Sequence, residues 1–351
     1  MKERFFRDRD FISTKDGFLF CVVGPYHPHD RVISYLKYVP AHDGKWRRGR
    51  DQFKRVMRRY TIPNLMETFD FLSKDYMHYL FVSPVYNITM TAVPRDCIQQ
   101  HFKCEEKLTE LFHRYPHLDA LEKKVNRLVT LISNQSGVAP TSFGVTGSIL
   151  LDIHNPAFSD IDITVYGQKD SYASKRGLLK TYSSKDSNLR PFQAEERQKW
   201  IAHKVQNHPI SAIEAERIFE RKWNIGIFDQ TSFSVHPVKL DDELTEKYGD
   251  KTFKPARVVT LQAVVTDSQD SIFLPGTYRI EDVKVDGKTA GNIQEVVSYE
   301  NLYCDLAETG EKIRVTGKLE HVKDVRTGRE YDRVLVGSSE GRGKEFVLPM
   351  V

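Results

Sequence analysis

Two aspartates, Asp160 and Asp162, have the residue type and spacing that point most directly to chemistry. They lie in the run SDIDITVYG, where polar and apolar residues alternate as they do in a half-buried strand. Residues i and i+2 of a strand project to the same side, so both carboxylates would face one site while Ile161 and Ile163 enter the core. Carboxylate oxygens are the ligands that Mg²⁺ and Mn²⁺ prefer, and the pair therefore predicts a divalent-metal site.

A Gly-Ser pair lies upstream of the aspartates, at a predicted corner between two elements. Residues 143–146 (FGVT) predict a strand, and residues 149–153 (ILLDI) predict the first turns of a helix. Free backbone N–H groups at the start of a helix attract an anion, and a glycine lets a phosphate approach the backbone closely. We therefore expect Gly147 and Ser148 to bind the phosphates of a nucleotide, with the Ser148 hydroxyl as a donor or a helix cap.

Together, Gly147-Ser148 and Asp160-Ile161-Asp162 resemble the motif of the DNA polymerase β-like nucleotidyltransferase superfamily. The resemblance implies an α/β (α+β) protein with a core of that superfamily over residues 137–252. It also implies transfer of a nucleotidyl group from an NTP to an acceptor hydroxyl, with Mg²⁺ (or Mn²⁺) as the cofactor. Asp160 and Asp162 would be the catalytic metal ligands, because the metal neutralises the triphosphate and activates the hydroxyl.

The resemblance further implies a third carboxylate on a later strand, for which residues 231–240 (TSFSVHPVKL) are the candidate. Ser234 stands where that carboxylate would be, which weakens the expected metal site. Asp229, in the preceding run, is the candidate catalytic residue to replace it, and a hairpin-turn residue is the alternative interpretation. His236 shares a strand face with Ser234, so it is either another ligand or base, or an ordinary strand histidine.

Basic residues in two segments are candidates for binding phosphate. Residues 45–60 (KWRRGRDQFKRVMRRY) hold eight Lys and Arg against one acid, with three aromatic residues between them. Such a run is typical of a nucleic-acid interface, and the alternative is a solvated helix with its aromatic side chains in the core. Lys169 and Lys175 follow the aspartate strand and are nucleotide-binding candidates, with a solvated loop as the alternative. The nucleic-acid-binding candidates in the basic run are Arg47, Arg48, Arg55 and Arg58.

The length of 351 residues exceeds one typical domain, and the pattern divides the chain into four regions. Residues 1–60 predict a small β-rich unit with the basic run, and residues 61–136 predict a helical region. Residues 137–252 carry the nucleotidyltransferase core. Residues 253–351 contain short alternating runs that predict a small β-barrel, resembling an OB-fold, with Gly317 at a sharp bend. Such barrels bind single-stranded nucleic acid, and a module that docks on another protein is the alternative.

Composition favours a cytoplasmic protein that does not associate with membranes. Mean hydropathy is −0.49, the four cysteines are scattered, and no apolar run approaches the ~20 residues of a membrane span. We expect nucleotidyl transfer, with RNA ranked first among acceptors because of the basic run. A protein or a small molecule is the alternative acceptor. A different alternative is a catalytically attenuated nucleic-acid-binding or scaffold protein that retains the nucleotidyltransferase fold.

Overall fold

The computed structural model describes residues 4–57, 62–183 and 188–350. Within these ranges the protein is a mixed α+β structure with an eight-stranded sheet, a five-stranded sheet and a β-barrel. The predicted mixed α/β class is confirmed at that level. None of the helices in the described ranges is long and apolar enough to cross a membrane.

The N-terminal unit is an eight-stranded antiparallel sheet with one helix packed on it. Strand β3 is its centre, since it pairs with β2, β5 and β7, while β1 joins β2 to β8. The elements in chain order are β1 (Phe11–Thr14), β2 (Leu19–Val22), β3 (Arg31–Pro40), β4 (Trp46–Arg48), β5 (Asp51–Arg55), α1 (Ile62–Asp75), β6 (Leu80–Ser83), β7 (Ile88–Pro94) and β8 (Ile98–Phe102).

One alternative interpretation and one expectation for this part of the chain are corrected. The basic run does not form a helix as far as it is described, because β4 and β5 form a hairpin in which Trp46 lies opposite Phe53. Gly49, with φ of 58°, allows the tight turn between them. The region 61–136 is helical only in part. Within it, residues 80–102 form β6, β7 and β8, and the last two pair with β3 and β1.

The middle unit contains the five-stranded sheet, in the order β11-β12-β13-β10-β9. Strand β10 runs parallel to β13 and antiparallel to β9. Helices α3 and α5 cover one face, where Val125, Ile163 and Leu178 share a core. The elements in chain order are α2 (Cys104–Arg114), α3 (Ala120–Ser136), β9 (Phe143–Thr146), α4 (Gly147–Leu150), β10 (Ile161–Tyr166), α5 (Gln168–Tyr182), β11 (Leu189–Arg190), α6 (Ala194–Asn207), α7 (Ala212–Glu220), β12 (Ile225–Phe228) and β13 (Thr231–Val238).

The N-terminal unit covers part of the opposite face of this sheet. Phe11 and Tyr38 of that unit share a buried core with Leu151 and Val238 of the middle unit. The sheet is therefore sandwiched between two helices on one side and a second sheet on the other. Polar residues on the second side face the N-terminal unit rather than bulk solvent.

The C-terminal unit is a closed five-stranded barrel, as the alternating runs predict. Strands β14, β15, β17, β19 and β18 pair in that order, and β18 returns to β14. At Gly317 strand β18 passes from β20 to β19, and a Cβ there would lie 2.5 Å from the Leu335 carbonyl oxygen, so the bend requires glycine. The elements are β14 (Lys251–Asp267), β15 (Gly276–Val285), β16 (Lys288–Thr289), β17 (Ile293–Ser298), β18 (Lys312–Asp324), β19 (Glu330–Val336) and β20 (Phe346–Pro349).

Candidate active site

The strand register of the middle sheet brings polar residues from separate segments into one row. Asp162 lies opposite Ser234 on β13 and opposite Thr146 on β9, and Ser234 lies opposite Ile225 on β12. Residues directly opposite each other project to the same face of a sheet. This row, from Thr146 to Ile225, faces away from α3 and α5, while Ile163 enters the core beneath those helices. The alternation predicted for the aspartate strand is confirmed.

The Gly-Ser corner abuts the aspartate strand. Gly147 has φ of +71°, in the left-handed region that favours glycine. A Cβ at this position would lie 2.8 Å from Asp162 Oδ2, so a larger residue would displace the carboxylate. Ser148 follows as a buried residue of α4, and its carbonyl accepts a hydrogen bond from the Ile153 N–H at 3.0 Å. The two halves of the sequence motif therefore meet at the Asp162 carboxylate.

The two carboxylates differ in their electrostatic environment. Repulsion from Asp162, with burial adding to it, raises the pKa of Asp160 to about 6. Burial alone would raise the pKa of Asp162, but its interaction with His236, the Lys37 charge and the Ser234 hydroxyl outweigh burial and hold that pKa below its ordinary value. Asp162 therefore stays ionised at neutral pH, and Asp160 takes up the first proton on acidification.

Ser234 and His236 bond to this pair. The Ser234 hydroxyl donates to Asp162 Oδ1 and lies 2.7 Å from His236 Nε2. Because its one proton goes to Asp162, the hydroxyl must accept from Nε2, which fixes the Nε2–H tautomer. Burial, with the charge of Arg9 adding to it, lowers the pKa of His236 to about 4, so the ring is neutral. The structure thus places His236 in the site, 3.6 Å from Asp162 Oδ1.

Asp229 lies elsewhere, and the idea that it reaches across the hairpin is corrected. It occupies the turn between β12 and β13 with φ of 44°. Its carboxylate pairs with Arg127 at 2.6 Å and its carbonyl accepts from Lys124 at 2.8 Å, and both partners belong to α3 on the helical face. The described residues include no group of three or more His, Cys, Asp or Glu side chains arranged to hold a metal ion.

The structure does not bring Lys169 and Lys175 to the site either. Asp160 precedes β10 and Lys169 follows it, so the length of the strand, about 20 Å, separates them. Lys169 is exposed, and Lys175 pairs with Asp305 of the C-terminal unit at 2.9 Å. Both lysines lie on helix α5 rather than in a solvated loop, and Lys175 forms an ion pair between units.

Basic side chains from the N-terminal unit, rather than Lys169 and Lys175, lie beside the aspartates. Arg9, Lys37 and Arg55 line a cavity of about 540 Å³ together with Asp160 and Asp162. Lys37 is buried, with its ammonium 5.4 Å from the Phe11 ring centroid, and the Arg55 guanidinium lies 4.8 Å from the Trp46 ring centroid. Arg9 has φ of 71°, and its carbonyl accepts from the Thr146 hydroxyl at 2.6 Å. Such strained backbone is held only where its surroundings fix it.

Of the four arginines predicted to bind nucleic acid, Arg55 lies at the cavity. Arg47 and Arg48 lie on β4, where Arg47 is exposed and Arg48 is partly so. Arg58 lies outside the described residues. Sequence reasoning missed Lys37 and Arg9. The signal for Lys37 was a single lysine within the apolar strand RVISYLKYVP, where a charge has no structural reason to be buried.

The chain is 30% identical over 347 residues to the uncharacterized protein MJ1086 of Methanocaldococcus jannaschii. The match covers 97% of this chain and 98% of that protein, so the shared length includes all three units. The chain belongs to the same family. No protein-family model matches the chain, and no solved structure matches it.

The site offers two carboxylates as donors to a divalent ion. Two carboxylates repel each other strongly enough to raise the pKa of Asp160, and a cation between them would relieve that repulsion. Mg²⁺ is commonly held by one or two carboxylates together with substrate phosphates and water. The third ligand position of the resembled motif carries the Ser234 hydroxyl, which is already bonded to Asp162 and His236.

Proposed function

We propose that this protein is a metal-dependent nucleotidyltransferase that moves a nucleotidyl group from an NTP to an acceptor hydroxyl, with RNA as the first acceptor class. The observation that carries the proposal is the contact of Gly147 with Asp162. Because Gly147 has no side chain, the Asp162 carboxylate of the next strand fits beside it. The closed barrel and the position of Arg55 support a nucleic-acid acceptor, since small barrels of the OB type bind single strands.

In the proposed reaction the acceptor oxygen forms a bond to the α-phosphorus, the α–β phosphoanhydride bond breaks, and pyrophosphate leaves. A bound Mg²⁺ would neutralise the triphosphate and activate the acceptor hydroxyl. Asp160 and Asp162 would hold that ion, and Lys37 and Arg55 would offset the charge of the phosphates. Ser234 would orient Asp162 through its hydrogen bond, which keeps one carboxylate oxygen fixed.

Ser234 also favours a second function, a catalytically attenuated nucleic-acid-binding or scaffold protein that retains this fold. A hydroxyl in place of the third acid removes the group best suited to accept the proton of the acceptor hydroxyl. Both functions require an intact fold, and only the first requires a metal-bound NTP to react.

Manganese binding tests whether the two aspartates hold a metal ion together with an NTP. Mn²⁺ would be titrated by electron paramagnetic resonance in the presence of an NTP analogue that cannot react at the α-phosphorus. Asp160→Asn and Asp162→Asn should each weaken NTP-dependent Mn²⁺ binding at least tenfold, a loss that even outer-shell substitutions cause. Asp242→Asn, an exposed acid beyond β13, is the matched control and should bind as the wild type does.

Transfer from an α-labelled NTP would be followed in the same variants. Loss of transfer together with Mn²⁺ binding supports the enzyme. Mn²⁺ binding by the wild type without transfer to any RNA, protein or small-molecule acceptor supports the attenuated protein. A wild type that shows no NTP-dependent Mn²⁺ binding contradicts the proposal itself.

A further inference from the structure

Two lysines outside the motif line the same cavity as the aspartates. They are Lys204 on α6 and Lys222 before β12. The Lys204 ammonium lies 5.2 Å from the Trp200 ring centroid, and Glu300, the carboxylate whose charge acts on it, is paired with His208 at 3.0 Å. In the part of the chain that the structure describes, Lys204 therefore has an aromatic ring rather than a carboxylate as its contact.

Lys222 is held in position by backbone groups. Its ammonium donates to the carbonyl oxygens of Asn301 and Cys304 at 3.2 and 2.9 Å. An ammonium has three N–H donors, so one donor remains after these two bonds. Burial lowers the pKa of Lys222 to about 8, and the charge of Lys204 lowers it further. Burial also lowers the pKa of Lys204. Two like charges thus share a desolvated wall, and a bound anion would stabilise both.

Asn224 adds a polar group beside the lysines. Its side-chain N–H donates to the Val235 carbonyl at 3.2 Å, while its Oδ1 is buried without a hydrogen-bond partner among the described residues. A buried acceptor of this kind is costly unless a ligand or water donates to it. Asn224 therefore provides an acceptor for a hydroxyl or N–H group of a ligand in the cavity.

The subsite lies close to the aspartates across the sheet. Asn224 precedes Ile225, which lies opposite Ser234, and Ser234 lies opposite Asp162. Two strand spacings, about 10 Å, therefore separate the Asn224 segment from Asp162. A ligand that contacts both places needs the dimensions of a single phosphorylated sugar, and the cavity volume of about 540 Å³ is in the range of small-molecule sites.

We propose that Lys204, Lys222 and Asn224 form the acceptor subsite, and that the acceptor is a phosphorylated nucleoside, either free or at the end of an RNA strand. The two ammonium groups bind its phosphate, and Asn224 Oδ1 accepts a hydrogen bond from a sugar hydroxyl. The acceptor role rests on the proposed nucleotidyl transfer. The binding itself requires neither a metal ion nor an NTP.

Calorimetric titration of the full chain with AMP, in buffer that contains EDTA, tests the subsite separately from the metal site. Lys204→Gln and Lys222→Gln should each weaken AMP binding roughly tenfold or more, the value of a charge-assisted hydrogen bond. Lys199→Gln is the matched control on α6, because Lys199 is exposed and paired with Glu195. Asn224→Asp places a negative charge next to the phosphate and should weaken AMP binding without removing a lysine.

The source of the nucleotide is distinguished by a second titration, with a short single-stranded RNA ending in a 3′ hydroxyl. Loss of RNA binding in Lys204→Gln, with no AMP binding in the wild type, assigns the subsite to a strand end. Loss of AMP binding in the same variant assigns it to a free nucleotide. Wild-type binding of both probes by the three subsite variants, or no binding of either probe by the wild type, overturns the subsite. NTP-dependent Mn²⁺ binding at Asp160 and Asp162 does not depend on the outcome of these titrations, so the proposed function is tested independently.

Discussion

Gly147→Ala is the substitution whose effect the structure defines most closely. Gly147 has φ of +71°, and an L-residue in this region costs about 1–2 kcal/mol. The new Cβ would also lie 2.8 Å from Asp162 Oδ2, so the carboxylate must rotate, and the rotation strains the hydrogen bond that its Oδ1 accepts from the Ser234 hydroxyl. Loss of that charge-assisted hydrogen bond adds about 1.5–3 kcal/mol.

Gly137→Ala is the matched control, since Gly137 ends α3 with φ of +72° and a Cβ there would meet nothing within 4 Å. Urea unfolding should therefore show a loss of about 1–2 kcal/mol in both variants, with the further loss in Gly147→Ala alone. Mn²⁺ titration with the NTP analogue should show affinity reduced at least tenfold for Gly147→Ala and unchanged for Gly137→Ala.

Equal Mn²⁺ affinity in the two variants would show that the position of the Asp162 carboxylate does not govern metal binding. Equal unfolding free energies would show that the carboxylate moves away from the new Cβ without losing its bond to Ser234.

Three further predictions concern other parts of the structure. Ser234→Asp adds a third carboxylate opposite Asp162, so it should lower the urea midpoint without metal and tighten Mn²⁺ binding. An unchanged urea midpoint together with unchanged Mn²⁺ affinity would show that the two positions do not interact. Lys37→Gln should raise the KM for NTP roughly tenfold, whereas Lys169→Gln, at the far end of β10, should leave KM unchanged. Equal KM values in the two variants would contradict the proposal that Lys37 offsets the charge of the phosphates. Burial lowers the pKa of His27 from 6.5 to about 4, and its ring accepts from the Ile33 N–H at 3.2 Å, so the unfolded chain takes up a proton that the folded ring does not. Folding stability should therefore fall as pH decreases from about 6.5 to 4, His27→Gln should flatten that slope in urea midpoints, and the exposed His29→Gln should retain it.

Local patterns predicted the elements of the middle sheet and of the barrel well. Alternation identified β10 and the β12–β13 hairpin, and the motif resemblance pointed to Ser234, which the register places opposite Asp162. The barrel followed from short alternating runs with turn residues between them. Helices α6 and α7 are separate because Pro209 disfavours helix at His208.

Long-range pairing is the part that sequence reasoning could not supply. Whether β7 and β8 join an N-terminal sheet depends on partners in β3 and β1, which periodicity within a segment does not specify. The lining of the cavity likewise depends on contacts between distant segments. Lys37 and Arg9 reach the aspartates only because the N-terminal sheet docks on the polar face of the middle sheet.

The third carboxylate that the resemblance implies shows the same division between local and long-range information. The resemblance pointed to Ser234 at the position of that acid, but the choice of Asp229 as a replacement depended on the direction in which the hairpin turn projects. The hairpin turn directs Asp229 to Arg127 on the helical face, while β13 presents His236 to the site.

Labelling of the NTP at two phosphorus positions distinguishes the proposed nucleotidyl transfer from other reactions of the triphosphate. Purified protein would be incubated with Mg²⁺ or Mn²⁺, a mixed pool of RNA and mononucleotides, and each NTP labelled at either the α- or the γ-phosphorus. If the protein transfers nucleotidyl groups, the α-label enters an acceptor, the γ-label is released in pyrophosphate, and Asp162→Asn abolishes both events. Transfer of the γ-label to the acceptor, or α-label transfer that persists in Asp162→Asn, would contradict the proposal.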